Sequence, residues 1–306
     1  MIANFFNKTK PINFLVLSIL VLVIFILALV SSAPETFGFY FFVKNGLFLF
    51  IALVTVFVLN FIIRKNSLTE DNAYAILFYI LMSSFFPKSF INDGVFVSNF
   101  ILLFAFRRIY SLRSTIQTKE KIFDSSFWIG VASLFYVSAL IYVILVYAAI
   151  VIFRKIDWRN FLIPVIGVLT PVFLSYTYLL AFDDLERFGN IWKLSLDVGF
   201  DAYKSWELLV PILLISILGL IAIYPTTKRS LLAKIDFKAT WSLLMIHILV
   251  SLVLALISPI KNGSEFIFLL FPLSVLFANY LQVIKRYWVK EAIVYLFVIT
   301  FIFAQL

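Results

Sequence analysis

Apolar runs follow one another along the whole chain, at roughly 12–31, 45–63, 73–86, 95–106, 127–153, 161–182, 208–224, 240–257, 265–284 and 291–306, with no long polar segment between them. Most are close to the length at which a helix spans the ~30 Å hydrocarbon core of a bilayer. The runs are continuous and lack the alternation of outer-membrane barrel strands, so helices are the expected spanning element. Hydrophobic residues make up 63% of the 306 and charged residues 13%, far below the quarter or so usual in soluble domains. The expected fold is all-α: a polytopic transmembrane protein of about ten to twelve hydrophobic helices, with residues 1–306 forming a single integral membrane domain.

The stretch Phe127 to Phe153 carries no charge and has basic residues just outside both ends. As one helix it would be about 40 Å long, more than one untilted pass needs and less than two full passes. Lys and Arg decide between the readings. If the stretch crosses once, the basic residues divide almost evenly between the two faces. If it is a short helix pair that enters and returns, one face collects the basic connections 1–11, 64–72, 107–126, 154–160, 225–239 and 285–290. The other face then keeps only Lys44, Lys88, Arg187, Lys193, Lys204 and Lys261. The second arrangement follows the positive-inside tendency. A helix pair at 127–153 is therefore expected, turning near Phe135 to Ala139, with Tyr136 and Ser138 available to backbone groups at membrane depth.

This topology implies a cytoplasmic-membrane protein with its N-terminus cytoplasmic and its C-terminus at the outer face. Asn13 to Ser32 behind Lys8 and Lys10 resembles a signal peptide, but its apolar core is long for a cleaved one, so an uncleaved first span is expected. The net charge of +9 is assigned to cytoplasmic loops, with no nucleic-acid partner. Residues 107–126 read as a basic cytoplasmic interfacial segment with Ile109, Leu112 and Ile116 at helical spacing, suited to anionic membrane lipids. Residues 183–207 read as an acidic loop at the outer interface, in which Leu185, Phe188 and Trp192 recur at helical spacing.

The chain has no cysteine, one histidine, and no phosphate loop, dinucleotide fingerprint or nucleophile elbow. Chemistry would have to come from carboxylates, lysines, arginines or tyrosines near a membrane surface. Asp183 and Asp184 directly follow the sixth run, where adjacent carboxylates suit a divalent cation or a general base. Glu35 and Asp93 fall on the same outer face. Lys261 could contact a lipid-linked phosphate as a flexible point charge, with Glu265 in the next helical turn. His247 is the strongly polar group of the eighth run and a candidate by its depth, although a hydrogen bond to a neighbouring helix would also account for it. No cofactor is identified by motif.

The segments MIANFFNKTKPINFL, FDSSFWIGVASLFYVSALIYVILVYAAIVIFRKIDWRNFLIPVIGVLTP and KNGSEFIFLLFPLSVLFANYL resemble a family of uncharacterised multi-pass inner-membrane proteins of Bacteroidota. The last two are also similar, more distantly, to the GT-C superfamily of polyprenyl-phosphate-dependent glycosyltransferases. Gly130 to Arg159 compares with that superfamily's short helix pair and basic cytoplasmic turn, and Lys261 to Pro272 with its late basic or polar residue before an FLLFP-like helix. The resemblance implies a GT-C-like arrangement acting on a polyprenyl-linked glycan. Glu35 is the position carried over, although the GT-C first outer loop usually holds an acidic pair and this one holds a single acid. In a transferase, Glu35 or the Asp183 and Asp184 pair would serve as base or metal ligand, with Lys261, Glu265 and His247 as substrate contacts. The competing reading is a non-enzymatic subunit of an envelope assembly or secretion complex with a membrane-protein partner; a transporter comes third.

Overall fold

The computed structural model describes residues 2–31, 38–193, 197, 199, 201–233 and 235–304. The described residues are helical, without strands. In chain order the helices are α1 Ile2–Phe5, α2 Pro11–Ser31, α3 Phe39–Lys65, α4 Tyr74–Ser83, α5 Asp93–Ser111, α6 Thr118–Ser133, α7 Val143–Ile152, α8 Trp158–Ala181, α9 Leu185–Ile191, α10 Trp206–Leu231, α11 Ile235–Ile257, α12 Ile267–Val283 and α13 Tyr287–Ala304. Short 3-10 turns occupy Pro87–Phe90, Val137–Tyr142, Asp201–Lys204 and Ser264–Phe266. Among the described residues 8 helices are long and apolar enough to cross a membrane, while α4 and α7 are shorter. Large apolar side chains such as Ile19, Phe50, Phe173 and Leu220 stand exposed on these helices, as suits surfaces solvated by lipid. The chain is a multi-pass helical membrane protein.

Packing divides the chain into two compact units. The first comprises Met1–Asn92, Gly199–Leu232 and Lys261–Leu306. Its centre is the short α4, all of whose residues are buried, packed antiparallel to α12. Phe78, Phe277 and Phe297 meet there with ring centroids 4.9 to 5.5 Å apart. At one end of this unit Asn279 donates to the Leu68 carbonyl at 2.9 Å, and Arg229 reaches Gln282 at 3.3 Å and pairs with Glu70. At the other end Phe86 stacks on Phe266, and Leu208 lies against Gly263. The connections 2–11, 64–72 and 285–290 and the end of α10 thus gather at one end of the unit.

The second unit comprises Asp93–Val198 and Ala233–Ile260. Here the charge-free stretch is broken as its charge distribution implies. The α6 helix stops at Ser133, Tyr136 takes an extended conformation with φ −150° and ψ 100°, and a 3-10 turn leads into α7. Two glycines fix the direction of the chain on either side. A Cβ on Gly167 would lie 2.7 Å from Ser126 Cβ, and one on Gly130 would lie 2.5 Å from Pro171 Cγ. Four residues forward on α6 therefore match four forward on α8, so α6 and α8 run parallel. The intervening α7 must run back, and it closes on α8 through Tyr147, whose hydroxyl donates to the Phe161 carbonyl at 3.1 Å. Both ends of 127–153 accordingly lie at one end of the unit.

The basic stretch 107–126 is divided between the last turn of α5, a turn through 112–117 and the first half of α6. Gln117 adopts a left-handed conformation, φ 52°, that separates the two helices. Across the turn the buried Lys121 amine donates to the Ser111 carbonyl at 2.9 Å and to Ser114 at 2.7 Å, and Arg108 pairs with Asp124 at 2.6 Å. The α9 helix matches the spacing of Leu185, Phe188 and Trp192 and folds back on α8, with Phe188 edge-on to Tyr176 at 5.2 Å.

Candidate functional site

The tip of the α6–α7 pair meets the end of α11 and the helix α9. Tyr136 is buried there, and its hydroxyl lies 2.6 Å from Ser258 Oγ at the end of α11. Ser258 itself donates to the Ile260 carbonyl at 2.9 Å and accepts the Ile260 amide at 3.1 Å. Ser258 thus bridges the Tyr136 hydroxyl and the Ile260 backbone, and either hydroxyl can donate in the Tyr136–Ser258 bond. This clamp holds residues 258–260 against the hairpin tip.

A half-open pocket of about 390 Å³ lies beside the clamp, lined among others by Tyr136, Ser138, Ile260, Arg187, Asn190 and Lys193. Arg187, Asn190 and Ile191 reach it from one face of α9, by their spacing of three and four residues. Arg187 and Lys193 are exposed, and no carboxylate is among the described lining residues, although the Asp197 amide donates to the nearby Ile257 carbonyl at 3.3 Å. A guanidinium fork and an ammonium beside amide and hydroxyl groups form an environment suited to a phosphate or carboxylate.

The candidates read from the sequence fall elsewhere. Asp183 sits in the left-handed region at φ 54°, and the Asp184 amide donates to the Leu179 carbonyl at 2.9 Å while the Asp183 amide donates to Leu180 at 3.2 Å. That pattern is a helix-ending Schellman motif, in which an aspartate tolerates the backbone demanded of it. Both side chains belong to the short link before α9, so they stand immediately ahead of the helix that lines the pocket. Glu35 lies outside the described residues. Among the described residues no three His, Cys, Asp or Glu side chains come close enough to hold a metal ion.

Lys261 and Glu265 belong to the first unit and are brought together with a third residue, Tyr203. Glu265 is fully buried and accepts the Gly263 amide at 2.9 Å and the Tyr203 hydroxyl. The Lys261 amine stands 5.8 Å from the centre of the Tyr203 ring. Gly263, at φ +95°, makes the turn that brings its own amide onto the Glu265 carboxylate. Here Glu265 fastens the turn before α12 to residue 203, in keeping with the rule that a buried carboxylate needs hydrogen-bond partners.

His247 is buried in the second unit. Its Nδ1 lies 3.1 Å from the Tyr110 hydroxyl, and the rings of Phe106 and Tyr142 pack on it at 4.2 and 5.6 Å. Ser251, one turn on, lies 2.8 Å from the Tyr142 hydroxyl. His247 and Ser251 share one face of α11, Ser258 stands just past its end, and their tyrosine partners pin that helix to α5 and to the hairpin.

Sequence reasoning did not single out Arg187, Asn190 or Lys193 as binding residues, nor Tyr203 at all. The three-four spacing on α9 was the available signal for Arg187 and Asn190. For Tyr203 there was none, since its partner is 62 residues away.

Residues 8–305 match a family of unknown function, DUF6427, and the chain belongs to that family. Neither a curated protein nor a solved structure was found to match it.

Proposed function

For this DUF6427 member we propose a role in the cytoplasmic membrane: the protein receives the phosphate-bearing headgroup of an envelope lipid, such as a polyprenyl-phosphate-linked glycan, in the pocket at the hairpin tip. The observation that carries this reading is the pairing of Arg187 and Lys193 with the hydroxyl-lined hairpin tip, in a pocket whose described lining holds no carboxylate. Within the second unit the pocket lies at the end opposite the basic connections 107–117 and 154–158, and the positive-inside tendency assigns those connections to the cytoplasm. The pocket then faces the outer leaflet, where lipid-linked glycans are handled. Headgroup binding is favoured over catalysis, because a transferase needs a base at its acceptor.

A second reading keeps catalysis open on one observation: Asp183 and Asp184 directly precede α9. In a GT-C-like transferase one of them, or Glu35, would act as base or hold a divalent cation. Lipid extracted from the purified protein separates the two. Binding predicts a phosphate-bearing lipid that is retained by the native chain and lost from Arg187→Ala/Lys193→Ala, with Asp183→Asn and Asp184→Asn indistinguishable from wild type. If the double variant retains the lipid, the pocket is not its site. Loss of a glycan product in the aspartate variants at normal protein abundance would instead favour catalysis.

A further inference from the structure

A second recess is bordered by the same helix, α9. It is an open apolar groove of about 550 Å³ running along α8 past Ile166, Leu169, Phe173 and Tyr176, with Phe188 of α9 also in its wall. Thr170, also in its wall, turns its hydroxyl back to the Ile166 carbonyl at 2.7 Å, which leaves the surface almost wholly carbon. From Tyr176 to Ile166 the groove covers about 15 Å of helix, roughly half the hydrocarbon thickness. It starts at the α9 end of α8, beside the polar pocket, and leads away from it.

We propose that one ligand fills both recesses: an anionic lipid whose phosphate lies at Arg187 and Lys193 and whose single long hydrocarbon chain lies in the α8–α9 groove. This inference rests on the headgroup reading above and adds the chain. Two features single out this occupant. Arg187 and Phe188 are consecutive, so a single turn of α9 presents a cation to the pocket and an aromatic wall to the groove. The groove also runs along α8 from Tyr176, near α9, toward Ile166, the direction taken by a chain descending from a headgroup at Arg187. Neighbouring helices offer exposed apolar side chains too, but this groove shares the helix α9 with a pocket lined by Arg187 and Lys193. The site therefore selects for chain as well as charge.

The test uses the full chain in nanodiscs of zwitterionic lipid and a long-chain alkyl phosphate carrying a photoreactive diazirine midway along its chain, with crosslinks mapped by mass spectrometry. Labelling is expected between Ile166 and Phe173. It should fall about tenfold in Arg187→Ala/Lys193→Ala, the scale of a lost charge-assisted contact. It should fall similarly in Leu169→Trp, an exposed position where the larger ring fills the groove without disturbing the core. A zwitterionic lipid with the same diazirine is the control. If both probes label α8 alike and the charge variants change nothing, the groove is ordinary lipid-facing surface and the inference is overturned. Butyl phosphate and inorganic phosphate, as competitors, separate the two claims. Equal competition by these and by the long-chain phosphate, still dependent on Arg187, removes the chain site and leaves the headgroup pocket. An absence of any Arg187-dependent binding removes the pocket itself. A second protein crosslinked in the groove in place of the phosphate probe would also refute the proposal.

Discussion

Gly130 and Gly167 set how closely α6 and α8 approach. A Cβ at Gly130 would meet Pro171 Cγ at 2.5 Å and the Val168 carbonyl at 2.8 Å, and one at Gly167 would meet the Phe123 carbonyl at 2.9 Å. Backbone atoms cannot swing aside as a side-chain tip can. Gly130→Ala and Gly167→Ala are therefore expected to destabilise by about 1–3 kcal/mol, the usual cost of overpacking, and to lower the unfolding temperature in detergent. Gly219 has nothing within 4 Å of its would-be Cβ, so Gly219→Ala should be neutral or stabilising by up to about 1 kcal/mol. Equal behaviour of all three variants would refute the close contact. The Tyr136–Ser258 clamp invites a double-mutant cycle with Tyr136→Phe and Ser258→Ala. A coupling of about 0.6–1.7 kcal/mol is expected for a hydrogen bond inside a helical membrane protein, and additive effects would show that the clamp contributes nothing. In the first unit, Tyr203→Phe removes a donor from a fully buried carboxylate and should cost about 1–3 kcal/mol, measured by the same thermal unfolding.

The α6–α7 pair and α9 are the elements on which the candidate site depends, and they differ in how far the sequence foretold them. The break in 127–153 was legible because a single crossing leaves Lys and Arg without a sided preference, a constraint that acts over the whole chain. The α9 helix was legible from Leu185, Phe188 and Trp192, which repeat on one face. The stretch 107–126 was less so. Ile109, Leu112 and Ile116 keep helical spacing across a turn, and only the left-handed Gln117 and the Lys121 bond to the Ser111 carbonyl mark where one helix ends and the next begins. Periodicity reports the face of a helix and says nothing of which distant helix that face meets. Tyr203 with Glu265, Tyr110 with His247 and Tyr136 with Ser258 were invisible for that reason. Asp183 and Asp184 attracted attention as paired acids, whereas their positions answer the backbone need of ending α8. Because Arg187 and Lys193 are exposed on α9 and just beyond it, their alanine variants should shift stability by less than about 0.5 kcal/mol while reducing phosphate-lipid retention, which divides a binding role from a structural one.

At the scale of the molecule, two compact helical units are woven from interleaved segments, and each gathers basic connections at one of its ends. In the second unit this sidedness follows from the return of the chain at the hairpin, and the pocket's exposure to the opposite face follows in turn. A single crossing of 127–153 would put the α5–α6 turn and the α7–α8 turn on opposite faces and leave no hairpin tip for α9 to cover. The absence of cysteine makes the decisive measurement direct: single-cysteine variants Ile116→Cys, Ile156→Cys and Gly189→Cys, labelled in intact and in permeabilised cells with a membrane-impermeant maleimide. Ile116 and Ile156 are 72% and 68% exposed, and Gly189 is exposed on α9. The expected result is that Gly189→Cys labels in intact cells while Ile116→Cys and Ile156→Cys label only after permeabilisation. Labelling of Ile156→Cys together with Gly189→Cys, on the face opposite Ile116→Cys, would contradict the hairpin and the outward-facing pocket built on it.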